Sequence, residues 1–381
     1  MVKLPYRAEF SGLEPYGAPQ LENIIRLNVN ENPYSPPPEV VAAITEEVTK
    51  AAQNLNRYPD RDFLELRTAL AHYLNQEAKV ALQPNQIWVA NGSNEIMLHL
   101  FQAFGGPGRR ALSFTPTYSM YPEYARDTNT GWVDIPRTAN FALDLPQVLT
   151  AIEKYQPAII ILTSPNNPTG TALPLTEIAA ILAAASEVQV PDAPQGSGAI
   201  IVVDEAYAEF RRAGVPSALE LLQSWPNLAV SRTMSKAFAA AGLRLGYLAA
   251  APELIMALQL VRLPYHLSAI TQAAALAALH HSATLQAQVA TLRTERDQLF
   301  DWLLNHNGPD GEPLKVAPSD ANFILFGVFA DRHQIWQQLV ADGVLIREVG
   351  PPGWLRVSIG TPDEMAAFRA ALTKALTAAR P

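Results

Sequence analysis

The chain has 381 residues, of which 49% are hydrophobic and 17% charged, and it carries a net charge of −8. This composition is typical of a globular protein of about two domains, and the acidic balance argues against nucleic acid or a membrane surface as a partner. The absence of cysteine excludes disulfides and thiolate metal sites, and the seven histidines are too scattered to predict a metal site. Neither a secretory signal nor an apolar run of membrane-spanning length is visible, so we expect a cytoplasmic protein.

The N-terminal region predicts an irregular arm followed by two helices. Residues 1–39 are rich in proline, which lacks an N–H group and restricts the residue before it. Apolar residues at helical spacing predict helices over 40–52 and 63–74, and the polar turn between them carries Tyr58. We expect the arm to lie over another part of the protein.

A strand, a glycine turn and a helix N-terminus come next. Residues 87–90 predict a short buried strand, Gly92 turns the chain, and Ser93 can cap the following helix. Free backbone N–H groups at such a turn can bind an anion, and α/β proteins contain several turns of this kind.

Strands and helices then alternate up to about residue 250, which predicts a mostly parallel sheet with helices on both faces. A helix is predicted over 175–185, and an exposed, mobile loop over 187–198. The predicted strands cover residues 111–114, 132–135, 158–163, 200–203, 228–231 and 245–249.

After Pro264 the pattern changes to that of a smaller α+β domain. Predicted helices cover residues 268–281, 284–305, 334–342 and 363–379, and predicted strands cover 321–326 and 355–359. The expected division is an N-terminal arm over 1–39 that is part of the small domain, a large domain over 40–265 and a small domain over 266–381.

Four polar residues directly follow buried strands of the predicted sheet. They are Tyr118, Asn167, Asp204 and Tyr207. Ligands of open α/β sheets bind at the edge where the carboxyl ends of the strands meet. We therefore expect these side chains to lie close together at that edge.

The stretch SRTMSKAFAAAGLRLG, residues 231–246, surrounds Lys236 with small apolar residues. Poor solvation lowers the pKa of a lysine and makes its amine a nucleophile, which typically forms a Schiff base with a carbonyl. The hydroxyls of Thr233 and Ser235, together with Arg244, suit a phosphate. A molecule with both an aldehyde and a phosphate is pyridoxal 5'-phosphate (PLP). The alternative is a surface lysine near a turn, since lysines are mostly exposed.

Together these residues suit the parts of this cofactor. A buried carboxylate needs a cationic partner, so Asp204 would pair with the protonated pyridine nitrogen and make the ring an electron sink. Tyr207 and Asn167 could hydrogen-bond the phenolic oxygen, and Tyr118 could stack on the ring. The phosphate could be held by Gly92, Ser93, Asn94, Ser235 and Arg244. Taken singly, Asp204 could instead cap a helix, Tyr118 could be plain core and Asn167 could be a turn residue.

Four motifs carry a resemblance to a known family. DEAYAEF, SPNNPTG, TPTYSMY and SRTMSKAFAAAGLRLGY resemble the motifs of fold-type I PLP-dependent aminotransferases, and the closest group is that of histidinol-phosphate aminotransferases. The resemblance covers nearly the whole chain, from Leu13 to Gly360. It implies the α/β fold of type I, with a mostly parallel sheet and a smaller α+β domain, and a homodimer as the active unit.

The resemblance also implies a role for each matching residue. Lys236 would be the Schiff-base lysine and then the acid and base of a 1,3-proton shift, with Asp204 and Tyr207 as catalytic partners on the ring. The implied phosphate ligands are Ser93, Asn94, Thr233, Ser235, Arg244 and, from the other subunit, Tyr58. The implied substrate ligands are Tyr16, Asn32, Arg347 and Arg356. The family commonly has aspartate where this chain has Asn94, but backbone N–H groups can still bind phosphate there.

The implied function is transfer of the amino group of histidinol phosphate to 2-oxoglutarate in histidine biosynthesis, by a ping-pong reaction through pyridoxamine phosphate.

Aromatic amino-acid aminotransferases and a threonine-phosphate decarboxylase share this framework and differ near Arg347, Arg356 and the arm. A PLP-binding regulator would usually carry a DNA-binding domain, and the arm shows no helix-turn-helix pattern. A dehydrogenase would need a G-x-G-x-x-G turn where this chain has NGSNE.

Overall fold

The structure is a computed structural model that describes residues 4–15, 17 and 19–380. Within this part of the chain, no helix combines the length and the apolar character that crossing a membrane requires. The strands are β1 (Ile25–Arg26), β2 (Ile87–Ala90), β3 (Arg110–Thr115), β4 (Gly131–Pro136), β5 (Ile159–Thr163), β6 (Ile200–Asp204), β7 (Leu228–Thr233), β8 (Gly246–Ala250), β9 (Lys315–Val316), β10 (Phe323–Gly327), β11 (Val344–Leu345), β12 (Arg347–Glu348) and β13 (Trp354–Ser358).

The α-helices surround these strands. They are α1 (Pro38–Ala52), α2 (Leu64–Ala78), α3 (Gly92–Phe104), α4 (Tyr121–Asp127), α5 (Leu145–Tyr155), α6 (Leu175–Ser186), α7 (Pro252–Val261), α8 (Ala269–His280), α9 (Ser282–Leu304), α10 (Arg332–Ala341) and α11 (Pro362–Ala378).

A seven-stranded sheet forms the core of the larger part, in the order β2-β8-β7-β6-β5-β3-β4. Strand β8 runs antiparallel to both of its neighbours and the other pairs are parallel, which confirms the predicted mostly parallel sheet. Strands β5 and β6 read IIILT and IIVVD, as expected of strands covered on both faces. Their register places Thr163 beside Asp204 and Asp204 beside Ser231, at the carboxyl edge of the sheet.

A second, antiparallel sheet has the order β12-β13-β10-β9. Strand β1 of the arm pairs in parallel with β11, through Ile25 with Val344 and Arg26 with Leu345. The arm is thus hydrogen-bonded to the C-terminal part of the chain. The domain boundaries near residues 39 and 265 stay predictions.

Helix α9 covers most of the helix predicted over 284–305, and it buries Leu285, Val289 and Leu299. Helices α4, α5 and α7 were not predicted. Each of them has a proline in its first turn, and Asp144 caps α5 by accepting from the N–H of Gln147. A capping residue followed by proline was therefore a usable signal for α5.

Two local predictions are wrong. Ser93 does not cap α3, because the helix begins one residue earlier and the Glu95 carboxylate accepts instead from the Asn91 N–H at 2.6 Å. The loop over 187–198 is not wholly exposed, since Val188 and Val190 are 2% and 4% exposed and pack into the core. Valines two positions apart can both point inward in an extended segment, which composition alone does not reveal.

Candidate active site

A cavity of about 490 Å³ opens at the carboxyl edge of the large sheet. Its wall combines the ends of β5, β6 and β7 with the N-terminus of α3, the arm over 28–31 and strands β12 and β13. Twelve of the fifteen predicted site residues lie on this wall: Ser93, Asn94, Tyr118, Asn167, Asp204, Tyr207, Thr233, Ser235, Lys236, Arg244, Arg347 and Arg356.

Lys236 lies on the cavity wall with its side chain partly buried. Burial lowers the pKa of its amine to about 8, and the nearby charges of Arg356 and Arg244 lower it as well, against the opposing effect of Glu31. The ammonium donates to the carbonyl oxygen of Val29 at 3.1 Å. Near pH 8, an amine with this pKa is neutral in a substantial share of the protein molecules. The neutral form is the one that acts as a nucleophile.

Asp204 ends β6 and is only 6% exposed. The Tyr121 hydroxyl donates to its Oδ2 at 2.7 Å, and the N–H of Ala206 donates to its Oδ1 at 3.1 Å. Burial nevertheless raises the pKa of Asp204 to about 6. No Lys, Arg or His nitrogen among the described residues lies within 4 Å of this carboxylate. A buried carboxylate in that position suits a cationic ligand in the cavity.

Two predicted ligands of the ring meet at the same edge. Asn167 Nδ2 lies 3.5 Å from the Tyr207 hydroxyl, and Asn30 Nδ2 donates to that hydroxyl at 3.0 Å. The ring of Tyr118 meets that of Tyr121 edge-on, with centroids 5.6 Å apart. The side chains predicted for the ring therefore share one cavity.

The predicted phosphate ligands cluster where α3 begins. The Thr233 and Ser235 hydroxyls lie 3.0 Å apart, and Arg244 adopts a left-handed backbone conformation with φ +56°. A Cβ on Gly92 would lie 2.8 Å from Nη2 of Arg244, and a Cβ on Gly246 would collide with the backbone of Gly92 and Ser93. The two glycines thus allow the Arg244 guanidinium and strand β8 to pack closely against the N-terminus of α3. A cation beside free helix N–H groups suits a phosphate. The residues present fit PLP.

The variant Gly92→Ala is expected to weaken PLP binding about tenfold, because its methyl group would displace the Arg244 guanidinium and remove the charge-assisted hydrogen bond predicted between Arg244 and the phosphate. Titration of cofactor-free protein with PLP measures the change in affinity.

Gly108→Ala is the matched control for this variant. Gly108 has the same φ of +81° as Gly92, but a Cβ there would meet nothing within 4 Å. Both variants should lose about 1 kcal/mol of unfolding free energy through backbone strain, and only Gly92→Ala should lose cofactor affinity. Equal losses of affinity would contradict the role given to the Arg244 contact.

Arg347 and Arg356 are direct neighbours across strands β12 and β13. Like charges in such positions repel one another unless an anion lies between them. Arg356 also donates to the carbonyl oxygen of Asn28 at 3.0 Å and to Asn167 Oδ1. This part of the wall is therefore suited to a phosphate or carboxylate.

Three predicted site residues are not among the described residues that line this cavity. Tyr58 is 80% exposed and stacks on Tyr265, with ring centroids 4.4 Å apart. Asn32 lies instead in the wall of a second cavity, where its Oδ1 accepts from the N–H of Tyr34. Tyr16 lies outside the described residues.

The arm contributes Asn28 and Asn30 to the cavity in place of Asn32. Asn30 is 2% exposed and has φ +57°, so the chain turns there. Glu31 still lines the cavity, but Asn32 does not. The repeated asparagines of LNVNEN were a signal for a polar site, but not for which of them faces it. Tyr121 was also missed, although it lies within the motif TPTYSMY.

Comparison with known proteins identifies the class that this fold and site define. The family Aminotransferase class I and II matches residues 22–372, and the chain belongs to this family. It is therefore a PLP-dependent aminotransferase of fold type I, which confirms the predicted family, fold class and cofactor.

Individual proteins of this family are similar in sequence to nearly the whole chain. It is 57% identical over 372 residues to a histidinol-phosphate aminotransferase of Thermobifida fusca, covering 98% of this chain and 95% of the relative. It is 56% identical to one of Bifidobacterium adolescentis, with the same coverage. The crystal structure of histidinol-phosphate aminotransferase from Sinorhizobium meliloti in complex with pyridoxal-5'-phosphate is similar with a TM-score of 0.79 and 25% identity, covering 93% of this chain and 92% of that one.

Proposed function

We propose that this protein transfers the amino group of histidinol phosphate to 2-oxoglutarate, giving imidazole-acetol phosphate and glutamate, a step of histidine biosynthesis. The observation that carries the proposal is the pair Arg347 and Arg356 in the same cavity as Lys236. Two adjacent guanidinium groups suit a dianionic phosphate or a carboxylate, which are the groups of the two substrates. The names of the relatives at 56–57% identity support the same reaction.

PLP, when bound, supplies an electron sink that stabilises negative charge at the substrate carbon bearing the amino group. Asp204 would pair with the ring nitrogen, Asn167 and Tyr207 would contact the phenolic oxygen, and Tyr118 would stack on the ring. The residues that would hold the phosphate are Ser93, Asn94, Thr233, Ser235 and Arg244.

The protein's own residues would divide the remaining work between them. Lys236, with its lowered pKa, would attach the cofactor and then move a proton at Nζ. Arg347 and Arg356 would orient the substrate through its anionic group. The cavity wall would exclude part of the solvent and strengthen these charge interactions.

The experiment that tests the function is a half-reaction titration. The protein with PLP is mixed, one at a time, with histidinol phosphate, phenylalanine, tyrosine and threonine phosphate, and the visible absorbance of the bound cofactor is followed. Rapid bleaching by histidinol phosphate alone is the expected result. Preferential bleaching by phenylalanine or tyrosine would identify an aromatic amino-acid aminotransferase, and release of CO2 from threonine phosphate without lasting bleaching would favour the decarboxylase alternative.

The variant Arg347→Ala is expected to raise the KM for histidinol phosphate about ten- to a hundredfold, since a hydrogen bond between charged groups is lost. Steady-state kinetics measure this change, and kcat should change less. Arg110→Ala is the control, because this exposed arginine begins β3 at the opposite edge of the sheet. An unchanged KM in Arg347→Ala would contradict the proposed substrate contact.

We also propose that the active unit is a homodimer in the cytoplasm, with Tyr58 reaching the phosphate site of the partner subunit. An apolar surface around Tyr58 supports this proposal. Arg262 donates to the carbonyl oxygen of Arg61 and so joins the end of α7 to the turn that carries Tyr58. Large apolar side chains that are exposed on these two segments are Leu55, Leu64, Met256, Leu260 and Leu263. Such a patch is typical of a protein interface.

Mixed dimers test the contribution of Tyr58. Lys236→Ala and Tyr58→Ala should each be impaired alone, but a mixed dimer would contain one complete site. In an equal mixture that exchanges subunits, activity should recover to about a quarter of the wild-type value, as expected for a two-fold symmetric dimer. No recovery, with dimers verified by sedimentation, would place Tyr58 in its own subunit's site or outside it.

A further inference from the structure

Tyr121 is a cavity residue to which the proposed reaction gives no role. It is fully shielded from solvent at the first position of α4, and its hydroxyl lies 2.7 Å from Asp204 Oδ2. The same hydroxyl lies 3.2 Å from Thr163 Oγ1, which lies 3.2 Å from Thr117 Oγ1. The four side chains therefore form a hydrogen-bonded chain that ends on the carboxylate.

The direction of this chain follows from the chemistry of its end. An ionised carboxylate only accepts hydrogen bonds, so the Tyr121 hydroxyl must donate to Asp204. The phenol oxygen can then accept from Thr163, and Thr163 Oγ1 can accept from Thr117. Each hydroxyl hydrogen points toward Asp204, which favours the charged form of that side chain.

Asp204 has few other groups that favour its charge. The N–H of Ala206 donates to Oδ1, while the neighbouring Glu205 carries a like charge. Burial raises the pKa of Asp204, and the hydrogen bonds from Tyr121 and Ala206 act against this effect. The larger of the two opposing contributions comes from Tyr121.

We propose that Tyr121 is a positioning residue that holds Asp204 ionised and in one orientation, ready to pair with the protonated ring nitrogen of the cofactor. The inference rests on the proposed function, because it needs a ring nitrogen at Asp204. Tyr121 acts through Asp204, so its effect should depend on that nitrogen and on no other part of the cofactor.

A comparison of two ligands isolates this effect. Full-length protein freed of cofactor is titrated with pyridoxamine 5'-phosphate and with its 1-deaza analogue, in which carbon replaces the ring nitrogen. Neither ligand forms a bond to Lys236, so both report non-covalent affinity. Wild-type protein should prefer the ligand that has the nitrogen.

In Tyr121→Phe, the affinity for pyridoxamine phosphate should fall about tenfold, because a hydrogen bond to a charged group is lost, while that for the deaza analogue should change less than about twofold. Tyr124→Phe is the matched control, since this tyrosine is also buried in α4 but is not among the residues that line the cavity. It should leave both affinities unchanged.

The inference would be overturned if Tyr121→Phe lost affinity for both ligands equally, or for neither of them. If that variant does not fold, Thr163→Val replaces it, because valine keeps the β-branched shape that suits β5. It should weaken only the binding of pyridoxamine phosphate, by about threefold, since it removes the hydrogen bond between Thr163 and Tyr121 and keeps the one between Tyr121 and Asp204. A wild-type protein that binds neither ligand would remove the proposed function and this inference with it.

Discussion

Lys236→Ala is expected to lower the transamination rate by about 10⁴-fold or more, because in the proposed reaction the amine both attaches the cofactor and moves the proton. The visible absorbance of PLP bound to Lys236 should disappear with it. The partly buried position of Lys236 on the cavity wall and its pKa of about 8 support the proposal that this amine is the reactive one. Rates of glutamate formation from histidinol phosphate and 2-oxoglutarate measure the loss.

The matched control is Lys315→Ala, which removes an exposed lysine at β9. It should retain the full rate and the full absorbance. If Lys236→Ala kept a rate close to that of this control, the central assignment of the site would be wrong.

Asp204→Asn is expected to have two opposite effects. The reaction should slow by about 10³-fold, because a neutral amide cannot keep the ring nitrogen protonated and the electron sink is weakened. The cofactor-free protein should become more stable at pH 7 by about 2 kcal/mol, because a buried charge without a cationic partner is removed. Reaction rates and chemical denaturation of cofactor-free protein measure the two effects.

The dependence on pH gives a second test of Asp204. Its pKa is raised to about 6 in the folded protein, above its ordinary value of about 4, so the folded state binds more protons between these two values. Asp204 therefore makes its full contribution to the unfolding free energy below about pH 4, and this contribution is lost as the pH rises to about 6. The unfolding free energy of Asp204→Asn should not fall in this way between pH 4 and 6.

The same substitution at the exposed Asp301 controls for the change of side chain. A fall in stability between pH 4 and 6 that is identical in wild-type protein and Asp204→Asn would show that Asp204 is not the group that titrates. The reaction rate of Asp301→Asn should equal that of the wild-type protein.

Several parts of the site could be predicted because their signals are local. Strands β5 and β6 are apolar runs that end in a polar residue, so the place of Asp204 follows from burial and chain direction alone. Lys236 stands in a small, apolar stretch, which already predicts the lowered pKa of its amine. The glycine turn at Gly92 predicts the anion site, although not the contact with Arg244.

Other features depend on how distant segments pack. Asn30 meets Tyr207 across 177 positions and Ser358 across 328. These distant contacts accompany the placement of Asn28 and Asn30, but not Asn32, on the cavity wall. The chain of hydroxyls that ends on Asp204 likewise joins separate strands. Periodicity in a sequence reports which residues are buried, but not which buried residues meet.

The sequence by itself determined the alternation of strands and helices, the lysine proposed to bind the cofactor and the polar edge of the sheet, because these depend on short-range spacing and hydrophobicity. Only the tertiary structure decided that Arg347 lies beside Arg356 and that the Tyr121 hydroxyl donates a hydrogen bond to Asp204. Those contacts arise from strand register and side-chain packing, which are set by the whole fold.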